Sequence, residues 1–244
     1  MRVGVFLSLL IYGKNPCKEI LTTDKPIIRA YLEKGINEDL LKILQKKDVE
    51  TIVLTKNDFY GKFTGNHQGI VFEVPDYKFL SLEDVIKKYP ASEQPVFLML
   101  DGITDPHNLG AIIRSAEAGG IKAIIIPKNR SVGITGTVAK VASGALEYMD
   151  LVEVTNLAQT IEKLKKMNFW IVGTDMVAPK TYSDIDVSSA LCIIIGSEGK
   201  GISRLLKETA DYLVNIPMVG KVNSLNASVS AGIIIFEILK KKGL

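Results

Sequence analysis

Six stretches between residues 96 and 218 are near-continuous apolar runs: 96-VFLMLDGI-103, 122-KAIIIP-127, 151-LVEVT-155, 169-FWIVGTD-175, 190-ALCIIIG-196 and 212-YLVNIPM-218. A strand that is apolar on both faces has to be covered on both faces. That is the signature of parallel strands packed between helices. The intervening segments 108–119, 135–149, 156–168, 201–209 and 224–243 read as helices. Strand and helix alternate, so residues 96–244 are expected to form an α/β domain with a parallel sheet of about six strands.

The preceding residues have a different texture. In 24-DKPIIRAYLEKG-35 and 38-EDLLKILQKKD-48 the apolar residues fall at helical spacing, with Asp24 as a possible cap and Gly35 as a stop. The runs 49-VETIVLT-55 and 69-GIVFEV-74 read as strands. Residues 1–78 are therefore expected to be a small α/β unit. Residues 79–95 form a connector holding a short capped helix, 81-SLEDVIKKY-89, between prolines.

The start, 1-MRVGVFLSLLIYG-13, loosely imitates a signal peptide but lacks a small-x-small cleavage site. It reads as a first strand or an upstream-extended start. No run reaches the ~20 apolar residues of a membrane span. Cys17 and Cys192 are too few for a disulfide framework. A cytoplasmic protein with reduced thiols and no membrane partner is expected. A net charge of +3 permits a polyanionic partner without requiring one, so nucleic acid has to be argued from sites.

Ligands of open α/β sheets sit beyond the carboxyl ends of the strands, and three such ends are unusual here. In 101-DGITDPHNLGAIIRSAEAGG-120, Asn108 is a plausible helix cap, and Arg114 stands in a run otherwise apolar or small. Two readings stay open for Arg114: an internal salt bridge to Asp101, Asp105 or Glu198, or a cation that meets a phosphate or a developing oxyanion. The loop 196-GSEGKG-201 looks like a phosphate cradle, yet it fits neither the Walker A nor the dinucleotide template. Its Glu198 would repel a phosphate, so a neutral or cationic ligand suits it better. In 216-IPMVGKVNSLNASVSAGIIIFEIL-239, Ser224, Asn226, Ser228 and Ser230 open a helix whose later part is apolar nearly all round. Such a helix is either buried or part of a dimer interface.

With these residues in view, the chain resembles the SpoU/TrmH family of RNA ribose 2′-O-methyltransferases. The three motifs match as Asn108-x-Gly110-Ala111-x-x-Arg114-Ser115-Ala116, as Gly196-Ser197-Glu198-Gly199, and as Ile216-Pro217-Met218 followed by Ser224-Leu225-Asn226-x-Ser228. Ile11-Tyr12-Gly13 and His67-Gln68-Gly69-Ile70 resemble the small ribosomal-protein-like RNA-binding domain found ahead of many family members. The residues "DPHNLGA", "VTNLA" and "SLN" are most similar to members that methylate a guanosine of large-subunit rRNA.

The resemblance implies a carboxyl-terminal deep trefoil knot and a homodimer formed through the knot helices. It also implies S-adenosylmethionine as methyl donor, held near Gly196, Ile216, Met218 and Leu225. Arg114 would be the chief catalytic residue, with Asn108, Glu198, Ser224 and Asn226 around it, and His67 and Gln68 would serve RNA binding. A guanidinium is a poor base because its pKa lies above ~12. Arg114 would either act as base or stabilise the forming alkoxide while a substrate phosphate or water takes the proton. No metal is expected, since His67 and His107 are the only histidines and no Cys/His cluster exists. The alternatives are a tRNA ribose methyltransferase and a non-catalytic RNA-binding member of the fold. A nucleotide-dependent oxidoreductase fails on the glycine spacing.

Overall fold

A computed structural model describes residues 8–221 and 224–243. Residues 1–7 of the stretch 1–13 in which a first strand is expected, and Val222 and Asn223 ahead of the last helix, lie outside the described residues. The chain divides into two compact units: residues up to 78 together with 134–147, and residues 79–133 together with 148 onward.

In the first unit, β1 (Ser8–Tyr12), β2 (Arg29–Glu33), β3 (Thr51–Leu54) and β4 (Ile70–Pro75) form a sheet of order β1-β4-β2-β3. Only β2 and β3 run parallel; β4 is antiparallel to both its neighbours. The helices α1 (Lys14–Thr22), α2 (Glu38–Lys46) and α3 (Lys56–Lys62) accompany it. Tyr31, Phe59, Phe63 and Val71 make an aromatic core, with Phe59 and Phe63 rings 5.1 Å apart.

The helix expected over 24–35 is instead the strand β2. Residues Ala30 to Glu33 are buried on both faces between β4 and β3, so ladder pairing and burial on the sheet outweigh a weak helical spacing.

The second unit carries α4 (Leu82–Lys88), β5 (Val96–Asp101), α5 (Pro106–Ala118) and β6 (Ala123–Pro127). After α6 (Gly136–Ala142), which belongs to the first unit, come β7 (Asp150–Val154), α7 (Leu157–Lys166), β8 (Phe169–Thr174) and β9 (Lys180–Thr181). They are followed by β10 (Ala190–Gly196), α8 (Arg204–Thr209), β11 (Tyr212–Asn215) and α9 (Ala227–Lys241). Among the described residues the sheet has seven strands in the order β7-β6-β5-β10-β8-β11-β9, and every pairing is parallel. All seven residues of β10 are buried, which is why 190-ALCIIIG-196 contains no charge. On one face Phe97, Met99, Ile125, Ile171, Cys192 and Ile194 pack with α4, α7 and α8. On the other, α9 packs against α5 and β10.

The helix expected over 135–149 stops at Ala142. Ser143 and Gly144 take positive φ values of 54° and 99°, and a Cβ on Gly144 would meet the Glu19 side chain at 2.7 Å. Two other expected helices start later, behind Ser203 and Asn226 as caps. The caps mark the true starts because their backbone is still extended or irregular there.

Candidate active site

The strands β8, β10 and β11 all end at one edge of the sheet, and a cleft of about 750 Å³ including its open mouth lies beyond them. Gly196, Ile216, Met218, Leu225 and Ser224, all singled out in the sequence, line it. Ile195, Val214 and Ala227 add apolar wall, while Ser197 and Ser230 add hydroxyls.

The loop after β10 is a tight turn. Gly201 N–H donates to Ser197 O at 2.9 Å and Lys200 N–H to Glu198 O at 2.9 Å. Gly199 and Gly201 hold φ of 76° and 65°, a region that disfavours any side chain. A Cβ on Gly196 would sit 2.0 Å from the Gly201 carbonyl carbon. The backbone can therefore come down onto the cleft floor only because residue 196 has no side chain.

Glu198 does not face the cleft as a free charge. Its Oε1 accepts from Asn108 Nδ2 at 2.9 Å, from Asn226 Nδ2 in a very short contact, and weakly from Ala227 N–H at 3.4 Å. The Asn226 amide also donates to Asn108 Oδ1 at 2.9 Å. At its other end Asn226 caps α9, with Oδ1 accepting from Ser228 N–H at 2.9 Å and Val229 N–H at 3.3 Å. One carboxylate thus ties the start of α5, the loop after β10 and the start of α9. Three distant motifs become one constellation.

Two expectations about α5 are corrected. The cap of α5 is Asp105, which accepts from His107 N–H at 3.0 Å with Pro106 behind it; Asn108 lies inside the helix and is free to reach Glu198. Arg114 is exposed and forms no hydrogen bond or ion pair among the described residues, so the internal salt bridge is not made. Asp101 instead accepts from Ser203 N–H at 2.7 Å. Arg114 also does not line the cleft.

Thr174, Asp175, Met176 and Lys207 line the cleft too, and the sequence reading missed them. For Thr174 and Asp175 the signal was the polar end of 169-FWIVGTD-175, another strand terminus at the same edge. Burial pushes the Asp175 carboxyl up, but hydrogen bonds from Lys207 and from Val177 N–H outweigh it and hold the group below the usual carboxylate range.

In the first unit His67 is 1% exposed, its ring between Phe59 and Tyr60 at 4.7 and 4.6 Å. Its Nδ1 accepts from Gly69 N–H at 3.2 Å, and its Nε2 finds no partner. Burial lowers its pKa. Buried in this way, His67 has no open ring face for a base, whereas Gln68 beside it is exposed. Among the described residues no group of His, Cys, Asp and Glu could hold a metal ion, and no helix is long and apolar enough to cross a membrane.

Against known proteins, residues 95–236 match the model of the SpoU rRNA Methylase family and residues 10–80 match that of RNA 2′-O ribose methyltransferase substrate binding. YacO of Bacillus subtilis (strain 168), named for the TrmH family of tRNA/rRNA methyltransferases, is 41% identical over 95% of both chains. A Staphylococcus saprophyticus protein named for the same family is 40% identical over 96% of both. Among solved structures, the SpoU methyltransferase AviRb from Streptomyces viridochromogenes in complex with AdoMet superposes with a TM-score of 0.83 at 23% identity, covering 96% of this chain and 90% of its own. An AdoMet-bound rRNA methyltransferase from Sinorhizobium meliloti gives 0.81 at 22% identity, covering 96% and 87%. These two likenesses speak to the fold; the family model and the curated relatives speak to descent, and by them the chain belongs to the SpoU/TrmH family of RNA methyltransferases.

Proposed function

We propose that this protein transfers a methyl group from S-adenosylmethionine to a ribose 2′-hydroxyl of RNA, with a guanosine of large-subunit rRNA as target. The observation that carries the reading is the cleft bounded by the second and third motif loops, to which Glu198 ties the first motif through Asn108. When bound there, the sulfonium donor supplies an activated methyl group. A new O–CH3 bond forms as the S–CH3 bond breaks, and the hydroxyl proton leaves to an acceptor.

The chain's own residues fit such a ligand. Met218, Leu225 and Ile216 offer apolar walls, and the bare Gly196 backbone permits close approach. Glu198, held in place by two amides, sets a negative charge beside the loop that floors the cleft. Asn108 and Asn226 fix the loops and Ser224 lines the cleft. Arg114 would stabilise the forming alkoxide or orient the RNA phosphate.

Because Arg114 does not line its own cleft, pairing of two copies is part of the proposal. Helix α9 buries Ala227, Ala231, Ile234, Ile235 and Ile238 on one side while Val229 and Phe236 remain 49% and 48% exposed. That apolar stripe suits a homodimer joined through α9, in which the carboxyl-terminal segment is knotted as in the family. The protein would work in the cytoplasm.

Coverage of the relatives supports rRNA over tRNA. The Sinorhizobium meliloti rRNA methyltransferase covers 96% of this chain, whereas the Aquifex aeolicus TrmH/SpoU tRNA-modifying enzyme covers 66% at a TM-score of 0.57. The test offers unmodified total RNA and labelled S-adenosylmethionine to the purified protein, and maps 2′-O-methyl sites. One ribose in large-subunit rRNA is expected. A tRNA site would move the target and keep the chemistry; no transfer despite cofactor binding would favour a binding module.

A further inference from the structure

The first unit has a cleft of its own, lined by Lys14, Glu33, Ile36, Lys56, Tyr60 and the Gln68–Gly69 turn. At its wall lies an anomaly. Glu33, the last residue of β2, is only 8% exposed, yet its carboxylate has no hydrogen bond or ion pair among the described residues. Only its backbone is engaged, N–H to Gly69 O at 3.0 Å. Among the described residues the sealed unpartnered side-chain atom is His67 Nε2, so the small exposed part of Glu33 includes its carboxylate oxygens, which open into the cleft where water or a ligand completes them.

We propose that this cleft is a subsite for one unpaired guanine base of the RNA substrate, read by the Glu33 carboxylate. The inference rests on the RNA reading above and adds a base and a place to it. Guanine alone among the four bases presents two adjacent donors, N1–H and the N2 amino group, on its Watson–Crick edge. Two carboxylate oxygens accept such a pair side by side. Uracil flanks its one N–H with carbonyls, while adenine and cytosine set a ring acceptor beside the amino group. Each would turn a lone pair toward Glu33.

The rest of the cleft suits a nucleotide. Tyr60 is 55% exposed and offers a ring on which a base can stack. Lys14 and Lys56 are exposed at the rim and unpaired with Glu33, which leaves them available to a phosphate.

The rim is also rigid before any ligand arrives. Gln68 and Gly69 hold φ of 55° and 71°, Gln68 Oε1 accepts from Lys14 N–H at 2.8 Å, and Asn37 Nδ2 donates to Gln68 O at 3.3 Å. A Cβ on Gly69 would fall 3.2 Å from Glu33 Oε2 and 2.6 Å from Ile36 Cδ1, so any side chain there would crowd the base-reading wall.

The test is fluorescence anisotropy of the full chain with labelled single-stranded uridine hexamers carrying one internal guanosine, inosine, adenosine or cytidine. A bidentate contact discriminates by ~1–3 kcal/mol, so the guanosine hexamer is expected to bind about tenfold tighter than all-uridine. Inosine, which keeps N1–H and lacks the amino group, should fall between. Glu33→Gln should erase the preference and leave all-uridine binding in place. Equal binding of all hexamers by the wild type, or a guanosine preference that survives Glu33→Gln, would overturn the subsite. If the variant does not fold, the inosine comparison on the wild type decides by itself. Methyl transfer is scored separately. Transfer without guanosine preference sinks only the subsite, and preference without transfer sinks only the enzymatic reading.

Discussion

The side-chain amide of Asn226 donates to Glu198 Oε1, the same oxygen that accepts from Asn108 2.9 Å away. Residues 118 positions apart in the chain, Asn108 and Asn226, are thereby held to one acceptor and to each other. Removing that acceptor should separate α5, the turn after β10 and α9. For Glu198→Ala, cofactor affinity by calorimetry is expected to drop at least tenfold. The carboxylate is exposed, so stability should fall by only about 1 kcal/mol. An unchanged affinity would mean the constellation is ornamental to the cleft.

Gly196→Ala tests the close approach of backbone to cleft. Its new methyl group would overlap Gly201 and Ile202, whose backbone atoms lie 2.0 and 2.2 Å from the Cβ position. Backbone has to move, at a cost of about 1–3 kcal/mol by chemical denaturation, and ligand binding should weaken with it.

Arg114→Ala separates chemistry from architecture. An exposed arginine without a partner adds little to stability, so the unfolding midpoint should stay within about a degree of wild type. Turnover should fall by about 10²-fold or more if the guanidinium meets developing charge. Full activity in a single-turnover assay would exclude it from the mechanism.

The unpartnered stripe on α9 makes an assembly prediction. Val229→Glu together with Phe236→Glu should convert a dimer to a monomer in light scattering, since two carboxylates cannot be buried at an apolar contact. If the mass of the double variant equals that of the wild type, the contact lies elsewhere.

His67 sets the pH response of the small unit. Burial lowers its pKa from the ordinary 6.5, so the unfolded chain binds its proton more readily than the folded one. Its contribution is therefore complete above pH ~6.5 and is lost as pH falls from there through the folded value. Thermal melts should show the midpoint of the small unit dropping below pH ~6.5, and His67→Gln should flatten that slope.

The second unit was largely legible because burial on both faces leaves a mark that composition cannot hide: 123-AIIIP-127 and 190-ALCIIIG-196 admit no charge. The three motif loops were legible because small and polar residues interrupt those runs at strand ends. What escaped was whatever depends on partners. The strand β2 carries Arg29 and Glu33 within a helical-looking spacing, and only its place between β4 and β3 makes it extended. The role of Asn108 turned on Glu198, 90 positions away, and no local rule names such a partner. Arg114 among small residues suggested burial, but its part of α5 lies open in a single chain. Asp175 and Lys207 form an ion pair across the cleft wall that neither segment announces alone.

The strand order has a consequence for biosynthesis. In the order β7-β6-β5-β10-β8-β11-β9, strand β10 is a wedge: β5 and β8 are joined only through it. A nascent chain can pair β5, β6 and β7 early, yet β8 has no parallel neighbour until β10 follows it off the ribosome. The keystone then has to enter a gap flanked by strands already made, a slow non-local pairing. Because the turn that floors the cleft hangs from the end of that same strand, no shorter nascent fragment holds a formed site. Residues up to Ser230 supply the rest of its wall, so the cleft closes only after that part of α9 has been made as well.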